Sequence, residues 1–432
     1  MENMIGMEKN RRVLSGDITR HVLDNGLVVL VLPGNTVPVV AVDVWYKVGS
    51  KDEQPGKSGF AHLFEHMMFE GSENVGKGEH MKLISEVGGW MNASTGKDRT
   101  NYFEVVPSNQ LALALWLEAD RMRSLKVTRE NFENQRDTVK EERRMRVDNA
   151  PYAPVFYEIL DELAFQNWAY RHSLIGSMAD LDNARLEDVI AFHQRYYRPN
   201  NAILAVAGDC RVDDVLALVN RYFAAIPAGE APPEVDLSEP AQKSEIRRRW
   251  EDPFAPLPAL VMAFKIPPRT SAAYYPLSLL ERWLGEGESA RLHRRLVEQE
   301  QVAAQVSCWL DPRLGPGLFT LFVQLAPGRQ LEDLERILNE ELERAVQTSP
   351  SATEMERIHN QSLAEYYSKL ERCFQKADLL CLYQMYSGRP EDLFEEIGRL
   401  EGLGAEDVQA AAQQFLIPAN RTVIEIVPAG GR

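Results

Sequence analysis

The sequence predicts an α+β protein of two homologous domains, each a mostly antiparallel β-sheet backed by α-helices. Three observations lead there. The segment Glu187–Asn201 aligns without a gap on Glu406–Asn420, and each copy reads as a helix stopped by proline and followed by an apolar strand. Each half opens with β-branched and aromatic runs and holds long amphipathic helices in its middle, the pattern of a sheet with helices on one side. Between the halves, Ile226–Pro240 is rich in proline and acidic residues and lacks periodicity, so it reads as a linker. The expected domains are residues 1–228 and 247–432, joined over 229–246. A chain of 432 residues is of the length expected for two domains.

The elements follow in order. Asn25-Gly26 marks a turn ahead of strands at Leu27–Leu32 and Val37–Tyr46. Gly59–Phe69 reads as a helix that is apolar almost all round, and such a helix is usually buried. Amphipathic helices are expected over Leu111–Ser124 and Thr128–Val147, with Trp116 and its leucine neighbours in the core. The first repeat leads into a strand at Ala202–Ala207. In the second half, strands are expected at Ala259–Phe264, Leu318–Leu325 and, after the second repeat, Thr422–Val427.

Composition excludes several classes of function. Hydrophobic residues make up 44% of the chain, enough for a real core, yet no run of 18 apolar residues suits a membrane span. The start, Met1–Arg12, lacks the apolar centre of a signal peptide. A cytoplasmic location is therefore expected, or a periplasmic one if a leader has been removed. Cys210, Cys308, Cys373 and Cys381 show no CxxC pairing, so neither a disulfide framework nor a cysteine metal site is expected. A net charge of −16 argues against nucleic acid as the main partner. It reads first as a soluble acidic surface, and it also suits attraction of basic peptides.

The chemistry concentrates in the apolar helix. Its three polar residues are His62, Glu65 and His66. Histidines at i and i+4 lie on one helix face. Burying two imidazoles and a carboxylate without partners costs roughly 2–7 kcal/mol per neutral polar group, and more for a charge. A metal removes that cost. Two imidazole nitrogens and one distant carboxylate form an open zinc site, and the remaining Glu65 can move protons. The spacing His-x-x-Glu-His reverses the more familiar His-Glu-x-x-His.

A third ligand has to come from elsewhere, and the helix after Thr128 offers two glutamates. Phe132 and Val139 mark its apolar stripe. Glu142, three residues past Val139, borders that stripe, while Glu141 faces away. The helix phase favours Glu142 and leaves Glu141 as the alternative. The remaining histidines, His21, His80, His172, His193, His293 and His359, are scattered and read as surface or packing residues.

These residues resemble the pitrilysin/insulinase zinc peptidases, the inverzincins, and within them the processing-peptidase-like bacterial branch. The resemblance runs over nearly the whole chain. It is carried by Gly59–Gly71, by Gly88-Gly89-Trp90-Met91-Asn92-Ala93-Ser94-Thr95 with Asp98, Thr100 and Tyr102, and by Arg136-Asp137-Thr138-Val139-Lys140-Glu141-Glu142. Tyr170, Ile175-Gly176, Tyr197–Asn200 and Gly208-Asp209 fit as well. The resemblance implies a zinc endopeptidase with one zinc per chain, held by His62, His66 and Glu142, and with Glu65 as catalytic base. It implies that Asn92 and Ala93 lie on an edge strand that binds extended peptide substrates. Gln135 stands where the family usually has a glutamate, which removes a charge near the metal.

The second half departs further. The family's non-zinc domain carries an Arg/Tyr pair that binds substrate, and this chain has Val297 and Ala304 at those positions. Arg294 and Arg295 are close but out of register. The resemblance therefore implies a zinc-bearing subunit of a heterodimer, enclosing a chamber with a homologue that lacks His-x-x-Glu-His and keeps the pair. Two rival readings use the same fold: a non-catalytic assembly subunit, and a regulatory peptide-binding module with structural zinc. The retained His62, Glu65 and His66 favour the peptidase, because structural zinc sites usually use four protein ligands.

Overall fold

The computed structural model of the protein describes residues 17–34 and 37–430, so the stretch Met1–Arg12 lies outside them. Among the described residues, eleven strands form two sheets. The first sheet holds β1 (Thr19–Val22), β2 (Val28–Pro33), β3 (Val39–Tyr46), β4 (Trp90–Thr95), β5 (Thr100–Pro107) and β6 (Ala202–Gly208). Its order is β1-β2-β6-β3-β5-β4. The second holds β7 (Ile246–Asp252), β8 (Ala259–Ile266), β9 (Ala303–Asp311), β10 (Gly317–Leu325) and β11 (Arg421–Pro428), in the order β7-β11-β8-β10-β9. β2 and β6 pair in parallel, as do β7 and β11, and the other pairs are antiparallel. Apart from β1, the two sheets repeat one order, and this is the duplicated α+β architecture.

The internal repeat has a physical counterpart. In the first copy, helix α5 (Leu186–Tyr196) is followed by a short turn at Pro199–Asn201 and then β6; in the second, the helix Ala405–Phe415 is followed by Pro418–Asn420 and β11. Asn201 Nδ2 donates to Tyr196 O at 2.9 Å, and Asn420 Nδ2 donates to Phe415 O at 2.9 Å. A helix end leaves carbonyls unsatisfied. Both copies solve that with the same asparagine after the same proline.

The chain forms two compact units that are not simple halves. The first comprises residues 1–140, 174–235 and 366–396, and the second 141–173, 236–365 and 397–432. Two segments thus depart from the contiguous halves expected above. The helix Cys373–Tyr386 packs on β3 and β6, with Cys381 fully buried there. In the second unit, Val155, Ile159, Leu160, Phe165 and Tyr170 share a core with Ala259, Val261, Ile424 and Ile426. Apolar periodicity reports which face of a helix is buried, not which sheet covers it. No helix among the described residues is long and apolar enough to cross a membrane.

Helices α1 (Phe60–Met67), α2 (Glu79–Glu86) and α3 (Leu111–Ser124) lie in the first unit ahead of α5, as does α4 (Arg129–Arg143) up to residue 140. α1 and α5 meet through aromatic rings: Phe64 lies 5.4 Å from His193, nearly parallel to it, and 4.3 Å from Tyr197. His193 is buried, and its Nε2 has no hydrogen-bond partner among the described residues. Burial, with Arg198 adding to it, pushes its pKa down to about 4. The unfolded value is about 6.5. The neutral ring's contribution is therefore complete above about pH 6.5 and is lost as pH falls through about 4, on the order of 3 kcal/mol in all. His193→Phe is expected to keep the packing and flatten that part of the stability profile, as read by urea unfolding across this pH range.

Candidate metal centre

α1 starts where it does because its first amides are held. Gly59 at φ 87° opens the helix, and the Glu53 carboxylate accepts from Gly59 N at 2.9 Å and from Ala61 N at 2.7 Å. A negative charge at a helix N-terminus satisfies orphan amides and suits the helix dipole. Glu53 is 5% exposed, so nothing from solvent replaces it easily. Glu53→Ala is expected to cost roughly 2–3 kcal/mol in urea unfolding, and Glu53→Gln less. The sequence gives little sign of this cap, because Glu53 reaches the helix across a loop rather than from the residue before it.

Within α1, Phe60, Ala61, His62, Leu63, Phe64 and Met67 are buried, and Glu65 and His66 are partly exposed. The helix is shorter than the 59–69 expected, turning out after Met67 toward Gly71 at φ 101°. The His62 and His66 rings lie 4.9 Å apart at 75°. α4 supplies the third group. Phe132 and Val139 anchor it in the first unit's core, and Glu142 follows one turn later on the same continuous helix. Each of His62, His66 and Glu142 offers a ligand atom, and these atoms lie within 4.8 Å of one another. Glu142 also pairs with Arg146 at 2.9 Å, but that arginine is 67% exposed and can swing into water at little cost. Glu141 stays outside the group, exposed and paired with Arg144.

Two imidazole nitrogens and one carboxylate at this spacing fit a zinc ion with an open fourth position. Glu65 stands beside the group, and the Thr95 hydroxyl donates to its Oε2 at 2.5 Å. That bond ties α1 to β4, the edge strand of the sheet. Asn92 is exposed on β4, and its Oδ1 accepts from Ala93 N at 2.9 Å. The Ala93 amide therefore points away from β5, and by the alternation of an antiparallel ladder Met91 and Thr95 share that outward direction.

Gln135 lies two helical turns before Glu142 and donates to Glu70 Oε1 at 2.6 Å. Glu70 is 5% exposed, and its other oxygen pairs with Lys77 at 2.7 Å. Gln135 thus hydrogen-bonds a buried carboxylate that also pairs with a lysine. Val297 is half-buried in the π-helical stretch His293–Gln299, and Ala304 is exposed on β9. Arg295 is engaged with Glu300 at 2.6 Å.

A second cluster with metal-ligating side chains lies deeper: His80, Glu104 and Glu118, all buried. His80 Nε2 sits 3.0 Å from Glu104. Arg121, 2% exposed, pairs with Glu118 through two nitrogens, reaches Glu104 at 3.5 Å and lies over the Tyr102 ring at 4.3 Å. Burial pushes both glutamates up and His80 down to about 3. The guanidinium already fills the cation's place, so this is an internal ion cluster. His80 is a buried packing residue.

Residues 29–177 match the family model described as Insulinase (Peptidase family M16), and residues 183–362 match the Peptidase M16 inactive domain. The zinc protease PqqE of Helicobacter pylori is 30% identical over 409 residues, which covers 94% of this chain and 92% of that protein. The crystal structure of a protease from Helicobacter pylori superimposes with a TM-score of 0.92 at 29% identity, covering 96% of this chain and 100% of that one. The periplasmic protease PqqL from Escherichia coli shares the fold, with a TM-score of 0.77 at 18% identity, covering 95% of this chain but 47% of that one. With both domains matched and a full-length relative at this identity, the chain belongs to the insulinase family of peptidases, family M16.

Proposed function

We propose that the protein is a zinc endopeptidase that cleaves short or unfolded peptides, with His62, His66 and Glu142 as ligands of one zinc ion. The observation that carries this reading is the convergence of those three side chains beside Glu65. Bound there, zinc supplies a Lewis acid and makes a water molecule acidic enough to act as a nucleophile near neutral pH. Glu65 takes the proton from the attacking water and hands it to the leaving amine. The Thr95 hydroxyl fixes the rotation of that carboxylate. An extended peptide adds to the open edge of β4, taking the outward backbone groups around Ala93 and displacing the Asn92 side chain from the Ala93 amide.

The apolar Val297 and Ala304 support a further step. No polar group stands at the two positions where the family's other half binds substrate, so a homologous partner supplies the Arg/Tyr pair and closes the chamber. The purified chain is expected to bind about one zinc and to hydrolyse a quenched peptide weakly. Adding a paralogue that carries the pair is expected to raise kcat/KM at least tenfold. Full activity of the chain alone would remove the heterodimer. A wild-type chain that binds no zinc would leave the non-catalytic assembly reading.

A further inference from the structure

An edge strand with an exposed aromatic residue is a hazard unless something covers it. β4 has one: Trp90 is 50% exposed. It is not isolated. Its ring lies 5.7 Å from Phe103 and 5.8 Å from Phe374, both edge-on, and Phe103 and Phe374 stack at 4.0 Å. All three belong to the first unit, and together they form an apolar ledge on the face of the sheet covered by the helix Cys373–Tyr386. Thr95, at the other end of β4, points to the opposite face and touches Glu65. Side chains alternate along a strand, so a peptide added to β4 presents its residues in turn to the catalytic face and to the ledge.

We propose that Trp90, backed by Phe103 and Phe374, is a specificity-determining residue that reads a bulky apolar side chain of the substrate. Register fixes where. Trp90 lies five residues before Thr95, about 17 Å along the strand. The selected side chain therefore lies about five residues from the one opposite Thr95, on the face away from Glu65. The substrate class is an extended peptide with an aromatic or large aliphatic residue at that distance from the scissile bond. The backbone edge contributes affinity without regard to sequence, and the ledge contributes the choice. This inference rests on the peptidase reading, so the two are tested by separate measurements.

The test scans one phenylalanine along a quenched peptide otherwise made of alanine, serine and glycine. It uses the protein together with its partner where the chain alone is slow. Wild type is expected to give a peak in kcat/KM of roughly tenfold at one position, carried by KM. Trp90→Ala is expected to lose the peak, Trp90→Phe to keep most of it, and Phe254→Ala, an exposed aromatic on the second unit, to leave the profile as in wild type. The same scan read as fluorescence anisotropy on Glu65→Gln protein reports binding without turnover. A flat wild-type profile by both readouts, or a peak that survives Trp90→Ala, overturns the role of Trp90. Absence of zinc and hydrolysis with a peak still seen by anisotropy overturns the peptidase reading and keeps the ledge.

Discussion

Glu65→Gln is expected to keep the metal and lose turnover. Glutamine has the shape of glutamate and retains a carbonyl oxygen to accept the Thr95 hydroxyl, so α1 stays tied to β4. It cannot take a proton. General-base catalysis contributes about 10²–10⁴-fold, and kcat should fall by that factor with KM little changed, since nothing that binds the peptide has moved. Zinc content should remain near one per chain, because Glu65 is not in the group that gathers His62, His66 and Glu142. Thr95→Val should fall between the two: the base remains but its orientation is loosened. Turnover retained by Glu65→Gln would remove Glu65 as the base, and loss of zinc in the same variant would make it a ligand.

α1 was legible in the sequence because its signal is local. An apolar helix with three polar residues states a problem, and the spacing of those residues states the answer. The strands of the sheet centres were legible for the same reason, as runs such as Ala202–Ala207 and Ala259–Phe264. β5 was not, because Thr100, Asn101 and Glu104 are buried polar residues inside it and break its apolar pattern. The helix expected over Thr128–Val147 changes to π-helical geometry at Arg144–Asp148, in the segment that passes to the second unit. Trp90's neighbour Phe374 and the contacts of Glu104 with His80 and Arg121 share one property. Each depends on residues far apart in the chain, and a sequence pattern carries no record of which surfaces meet.

The same property makes Gly176 the position where a small change should do the most structural damage. Gly59 and Gly176 cross in contact. A Cβ on Gly176 would lie 2.4 Å from Ser58 O and 2.7 Å from Gly59 Cα, and one on Gly59 would lie 2.7 Å from Ile175 O. The crossing is laced by Ser58, whose hydroxyl donates to Asp180 Oδ2 at 2.5 Å and accepts from Ser177 N at 3.0 Å. Gly176→Ala adds both a left-handed backbone penalty, at φ 83°, and a backbone clash that no side-chain rotation can relieve. A loss of roughly 3 kcal/mol or more in urea unfolding is expected. Because the clash pushes on the residue that caps the helix carrying His62 and His66, zinc affinity by chelator competition should fall with it. Gly88→Ala separates the two causes. Gly88 has φ 80°, nearly the same backbone, but nothing lies within 4 Å of its added Cβ. It should lose only about 1 kcal/mol and keep its zinc. Equal losses in the two variants would mean that backbone conformation alone, and not the Gly59–Gly176 crossing, sets the cost. A larger loss confined to Gly176→Ala would mean that the helix carrying His62 and His66 is positioned from its N-terminal end, by a contact between residues 117 apart in the chain and with no chemistry of its own.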